Sequence, residues 1–373
     1  MPEQGSKQKN IFLRAFALCP VRHTLALASL ALTLAYFALR GSFAVMTFVC
    51  AHVTRPWHRF AARALNALPF SVAGVLIAGA VLGFLAYLVF CLVAAVRLGD
   101  WAVRLYRLAI TAVTLALVVY AGFCLLWGVY YYTSDFEEQS GIYAQPLSVE
   151  QLESVTRLFA GLVNDYGEQV ARDENGIFNE DMDAVFDQSG QLYTEVERLV
   201  PCLAGDGLRA KPFMFSRIMS YLDFTGFFFP LTGEANINVD SPSCMIPSTI
   251  AHELAHQRSV AAEDEANFVA VLACLENGDP VYCYSACLLA YIYLGNALYR
   301  ADTDAWAEVY DTLSDGVRAD LSYNSRYWAK FDTPVSSVSN TVYTGFLQSH
   351  GQTLGLQTYG ACVDLLVAYY YKE

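Results

Sequence analysis

The sequence predicts a mainly α-helical protein: N-terminal transmembrane helices, followed by a mostly helical soluble domain with a short edge strand or small sheet. Three observations lead there. First, charge is divided along the 373 residues. Residues 1–134 carry eleven Lys/Arg against two Asp/Glu, whereas residues 135–373 carry twelve against thirty-four, for a net charge of −13. A basic, apolar first third joined to an acidic remainder is the pattern of a membrane segment bearing a water-facing domain. Second, 33 residues between Arg63 and Arg97 and 27 between Arg107 and Asp135 are uncharged. Each run exceeds the roughly 20 residues that a spanning helix needs. Third, beyond residue 137 apolar residues recur at helical spacing, between helix start and stop signals.

The expected boundaries are a membrane domain at 1–136, with about three spans near 23–40, 70–96 and 108–133, and a soluble domain at 137–373. The first run, seventeen residues from His23 to Leu39, is near the lower limit for a span. A cleaved signal peptide is its alternative, disfavoured because the run begins late and lacks a small-x-small site before Arg40. A cytoplasmic N-terminus puts Lys7, Lys9, Arg14 and Arg22 inside, together with the loop bearing Arg97, Arg104 and Arg107. The acidic domain, starting at Asp135, then lies outside. Arg40, Arg55, Arg59 and Arg63 break this rule. They are assigned to an interfacial helix anchored by Trp57 and Phe60.

In the soluble part, Ser148 and Gln151 form an S-x-x-Q start for a helix over 148–166. A second helix is expected over 181–203 and a short one over 215–222. Residues 226–239 change character, and the final alternation of small, polar and apolar residues suits an edge strand. Helices follow at 247–257, 262–277, 282–299, 303–322, 335–349 and 358–371. The 282–299 stretch is apolar nearly all round and is expected to be the buried core helix. Cys283 and Cys287 share its face and read as small core residues. The ten cysteines include no C-x-x-C pair. A disulfide outside the cell is compatible with them, but sequence does not give its connectivity. The acidic balance argues against nucleic acid as a partner.

The segment His252-Glu253-Leu254-Ala255-His256 carries the chemistry. Histidines four apart on a helix are separated by about 40° around the axis and about 6 Å along it, so both imidazoles can grip one ion. Glu253 lies about 100° further round, beside the metal, where it can take a proton from a zinc-bound water. A carboxylate from the following element would complete three protein ligands and leave a fourth position open. The bland alternative is a polar helix face with two solvated histidines. It loses weight because the chain has only six histidines and Pro247 supplies a helix start. The sequence around the motif is polar, which argues against an intramembrane protease.

Several stretches together resemble a bacterial membrane family catalogued as domain of unknown function 3810. They are Ser216-Arg217-Ile218-Met219-Ser220-Tyr221, Thr232-Gly233-Glu234-Ala235-Asn236-Ile237-Asn238, the run from His252 to Gln257, and Glu263-Asp264-Glu265-Ala266-Asn267-Phe268. The resemblance extends back to Pro69-Phe70-Ser71-Val72 and forward to Gly351-Gln352 and Tyr359-Gly360. It implies a zincin-like metallopeptidase domain of the gluzincin kind with helices at its N-terminus, and zinc (Zn2+) as cofactor. Where the family has Gly after the Gln-Arg pair, this chain has Ser259, which bears on the turn after His256.

The expected metal ligands are His252, His256 and Glu263, with Glu253 as general base. Glu263 and Glu265 are about 200° apart on one helix and cannot face the same ion. Glu263 is chosen because it begins E-x-x-A-N, similar to the E-x-x-A-D of related zinc peptidases. That choice puts Asn267 on the metal side, to orient a ligand histidine, and Glu265 toward solvent. Glu234, Asn236 and Asn238 are expected to bind substrate by pairing their edge strand with an extended peptide; an ordinary polar strand edge is the alternative. Tyr284 and Tyr359 are named as oxyanion donors, and His350 as a surface residue. The expected function is a membrane-anchored zinc metallopeptidase cleaving peptides or proteins outside the cytoplasm. The alternative is a non-enzymatic membrane sensor or assembly factor that retains a zinc site.

Overall fold

A computed structural model of the chain describes residues 13–350 and 359–372. It is mainly helical, with one small three-stranded sheet. Two compact units emerge: Met1–Thr54 with Val75–Tyr132, and Arg55–Gly74 with Thr133–Glu373.

The first unit holds long apolar helices. Pro20–Leu39, Val72–Leu98 and Trp101–Leu126 are each long and apolar enough to cross a membrane. Helix Pro20–Leu39 packs along Trp101–Leu126; Thr114 Oγ1 donates to the Arg22 carbonyl at 3.2 Å and Tyr36 OH to the Gly128 carbonyl at 3.0 Å. The third helix begins and ends earlier than the uncharged run suggested. Arg104 lies in its first turn, paired with Asp100 at 3.1 Å, so charge near a helix end does not stop the helix.

The second unit is built around helix Pro280–Ala301. That helix is also long and apolar, but 72% of its most apolar window is buried, against 6–17% for the other three. It is the core helix expected from its uniform apolarity. Val149–Gly167 packs on it and starts with the full Ser148–Gln151 capping box. Cys283 and Cys287 are buried in this core, and none of the ten cysteines is bridged.

Three expectations are corrected. Residues 181–203 do not form one helix but break into Met182–Gln188 and shorter turns. Gly190 lies backbone-to-backbone with Gly207, where an added Cβ would stand 2.8 Å from the Gly207 carbonyl oxygen. The 303–322 helix is split into Thr303–Asp311 and Asp315–Trp328 by an N-cap at Ser314. The strand carrying Glu234, Asn236 and Asn238 is not an edge. β1 (Lys211–Pro212) pairs parallel with β3 (Glu234–Ile237), and β2 (Gly226–Phe229) pairs antiparallel on its other side. Gly233, at φ +68°, closes the hairpin that lays β2 on one flank of β3, and β1 occupies the other.

The helix Arg55–Leu65 belongs to the second unit. It exposes Trp57 and Phe60. Trp57 Nε1 donates to the Leu231 carbonyl at 3.0 Å, and the Arg63 guanidinium pairs with Asp206 at 2.5 Å.

Candidate metal centre

The motif helix spans Ile246–Gln257 and is buried along most of its length. Tyr193 OH donates to the Ala251 carbonyl at 2.7 Å. After Gln257 the chain turns sharply. The Val260 N–H reaches back to the Ala255 carbonyl at 3.2 Å and the Ser259 N–H to the His256 carbonyl at 3.0 Å. These two bonds close a Schellman turn, which puts its pivot residue in the left-handed region. Ser259 holds that place at φ +76°. The turn geometry that glycine would supply is kept, at a cost of about 1 kcal/mol for the Cβ.

This turn acts on the chemistry. It carries the Val260 carbonyl to 2.7 Å from His256 Nδ1. His252 Nδ1 lies 2.9 Å from Asn267 Oδ1. A carbonyl oxygen only accepts, so both rings carry a proton on Nδ1, and Nε2 is the ring atom turned toward Glu263. Asn267 thus holds the orienting place expected for it. The rings stand nearly perpendicular at 87°, with centroids 4.6 Å apart.

The next helix, Glu263–Asn277, supplies the carboxylate. Glu263 Oε2 lies 3.2 Å from His252 Nε2 and 3.7 Å from His256 Nε2. One ligand atom from each of the three residues lies within 4.8 Å of the others, a grouping able to hold a metal ion. Tyr343 OH, from helix Pro334–Ser349, donates to Glu263 Oε1 at 2.6 Å. One oxygen of Glu263 is therefore fixed from behind while the other faces the histidines.

Glu265 turns away from this group, as the rotation around the helix requires, but not toward solvent. It is buried and accepts from the Phe136 N–H at 3.0 Å and the Glu137 N–H at 3.3 Å. Burial pushes its carboxyl up to about 8. It anchors the short helix Phe136–Ser140 to the ligand helix.

Glu253 is 3% exposed. Burial raises its carboxyl to about 7, against the lowering pull of His252 and His256 and of a hydrogen bond from the Phe228 N–H. Its Oε2 is buried without a hydrogen-bond partner. Gly226 is why the carboxylate fits: an added Cβ there would stand 2.6 Å from Glu253 Oε1. At His256 burial lowers the imidazole, but the Glu263 carboxylate outweighs it and holds the ring up at about 9. Glu263 is held well below the carboxylate range by His256 and His252, against its own burial.

β2 runs beside Glu253. The Asn238 N–H donates to the Thr225 carbonyl at 2.9 Å, so by the antiparallel alternation residues 225, 227 and 229 face β3. Gly226 and Phe228 present their backbone groups on the other edge, which no strand covers among the described residues.

The remaining expected site residues lie elsewhere. Glu234 accepts from Lys211 Nζ at 2.7 Å, the Ala73 N–H at 2.8 Å and the Val72 N–H at 3.1 Å. Asn236 Oδ1 accepts from Ser71 Oγ at 2.6 Å. Asn238 donates to the Phe224 carbonyl at 2.8 Å. All three are buried in the sheet's support. Tyr284 is fully buried and donates to Asp320, stacked on Phe178. The Tyr359 side chain and Gly351-Gln352 lie outside the described residues. His350 is buried rather than superficial. Sequence reasoning missed Gly226, the Phe228 N–H and Tyr343. Gly226 had one visible signal, a glycine directly before three phenylalanines; Tyr343 had none among 24 tyrosines.

A family model described as "Protein of unknown function (DUF3810)" matches residues 52–367. No curated protein matches the chain, and no solved structure does. The match covers the sheet, the motif helix and the ligand helix, and the chain belongs to this family.

Proposed function

We propose that this family member is a membrane-anchored zinc metallopeptidase with a zincin-like, gluzincin-type domain that hydrolyses peptide bonds. The observation that carries this reading is the convergence of His252, His256 and Glu263 within 4.8 Å, with the buried Glu253 beside them. Two imidazole Nε2 atoms and one carboxylate oxygen are the donor set zinc prefers at a catalytic site. Among the described residues no fourth His, Cys, Asp or Glu joins the group. A purely structural site closes with a fourth protein ligand, so this favours an enzyme over a sensor or assembly factor.

Zinc held there supplies a Lewis acid that polarises the attacked carbonyl and acidifies water. The chain's own residues do the rest. Glu253, buried beside the three ligands, takes the proton of the attacking water and returns it to the leaving amine. The Phe228 N–H fixes the orientation of that carboxylate. Asn267 and the Val260 carbonyl hold the imidazoles in the Nδ1–H tautomer. The substrate is a peptide or protein segment, and the buried residues 234–238 do not bind it as first expected. The soluble part faces away from the cytoplasm by the positive-inside rule, with the lipid bilayer as the other partner and no role for nucleic acid.

The test uses the full chain purified in detergent. It is expected to retain one zinc per chain and to cut peptides from a mixed library, with cleavage stopped by a chelator and restored by zinc. A protein without zinc, or cleavage insensitive to chelation, overturns the reading.

A further inference from the structure

The first unit contains a cavity of about 240 Å³ lined by Arg22, Arg104, Arg107, Tyr87, Phe90 and Cys19 among others. We infer that it is a binding site for a phosphate group, and specifically for the headgroup of an anionic phospholipid. The inference does not depend on the zinc site.

Three arginines line the cavity. Asp100 answers one of them, Arg104, at 3.1 Å. Arg22 is half-buried; its Nη1 donates to Tyr87 OH at 2.7 Å and to the backbone carbonyl of Arg107 at 3.2 Å. Its Nε and Nη2 donate to none of the described residues. Arg107 is half-buried as a residue, and its guanidinium has no hydrogen-bond or ion-pair partner among them. Two arginines that line one cavity without a carboxylate partner leave positive charge there that an anion would complete. Tyr87 OH accepts from Arg22 and still has its own proton to donate.

The chemistry of the missing partner follows. Planar guanidinium forks match the paired oxygens of a phosphate. The volume is several times the roughly 30 Å³ share of one water, so a tetrahedral anion fits. Lipid is favoured over free phosphate by the surroundings. The cavity is built by helices long and apolar enough to cross a membrane, near the turn between Leu98 and Trp101. Leu18, Val21 and Phe90 line it and are exposed, placing apolar surface beside the cationic cluster. Basic pockets between spanning helices are where anionic headgroups bind.

The test is a ligand titration of the full chain in detergent, read by thermal stability. The probes are phosphatidylglycerol, phosphatidylcholine and inorganic phosphate. Phosphatidylglycerol is expected to raise Tm saturably and phosphatidylcholine much less. Arg107→Gln should weaken the apparent affinity by about ten- to a hundredfold, the loss of one charge-assisted bond or pair. Arg97→Gln, which removes an exposed arginine of the same region, should leave the affinity unchanged. If Arg107→Gln does not fold, Arg107→Lys tests the fork alone, with a smaller loss expected. Saturation by inorganic phosphate with the same dependence on Arg107 would keep the site and make the free anion its ligand. No saturable response to either anionic probe overturns the inference. So does an Arg107 variant with unchanged affinity, or an equal loss in Arg97→Gln.

Discussion

Residues 234–238 and residues 252–267 both carry polar side chains into the packed interior, and both lie within the family's match, yet they differ in how those side chains are used. In the first stretch the partners are complete. Glu234 has Lys211 and two backbone N–H groups, Asn236 has Ser71 and the Glu234 carbonyl, and Asn238 has the Phe224 carbonyl and the Asp240 N–H. In the second, two imidazole nitrogens and a carboxylate oxygen converge on one point, and Glu253 Oε2 is buried without a partner. Buried polar groups are normally paired, so titratable groups that converge beside an unpartnered carboxylate oxygen mark chemistry, while fully paired ones mark scaffold.

Substitutions can break that distinction. The largest expected effect is at Glu263: Glu263→Ala should weaken zinc binding by orders of magnitude, whereas Glu265→Ala, removed from the ligands, should keep it. Isothermal titration of metal-free protein measures both; full zinc affinity in the Glu263 variant would end the ligand assignment. Next is Lys211→Met, which strands the Glu234 carboxylate in the sheet. It should cost about 3–5 kcal/mol of stability in a denaturant titration. The protein that remains folded should bind zinc as tightly as before; weakened zinc binding there would erase the line between scaffold and site.

Gly226→Ala is a smaller perturbation that acts on the site from the strand. The new Cβ would stand 2.6 Å from Glu253 Oε1, so the carboxylate must move. Peptide hydrolysis should fall about a hundredfold with zinc content unchanged. Loss of zinc instead would mean that Gly226 supports the ligands rather than the base. The smallest effect is at the turn. Ser259→Gly relieves a φ of +76° and should raise stability by about 1 kcal/mol without altering zinc binding. A destabilised variant would show that the serine side chain, not the turn, matters there.

Local spacing made much of this legible. Helix starts were visible wherever a side chain caps its own backbone, as at Ser148 with Gln151. The rotation of about 200° between Glu263 and Glu265 selected the residue that meets the histidines. What escaped were relations between distant segments. Alternation in residues 234–238 shows a strand but not its rank in a sheet, because rank depends on pairing with 211–212 and 226–229. Nothing near Glu265 foretold that its carboxyl group would meet backbone N–H groups at Phe136 and Glu137 rather than water. Tyr343 reaches Glu263 across 80 residues of chain. The segment Arg55–Gly74 lies among membrane-like runs in sequence, yet it belongs to the unit that carries the site.

The most direct test separates the ligands from the base in one protein. Glu253→Gln keeps His252, His256 and Glu263 and removes only the group that accepts the proton. Zinc content and peptide cleavage are measured together on the full chain, wild type beside variant. The expected result is equal zinc in both and cleavage in the wild type alone. Equal cleavage by the two proteins would contradict the role of Glu253, and an absence of zinc from both would contradict the metal centre itself.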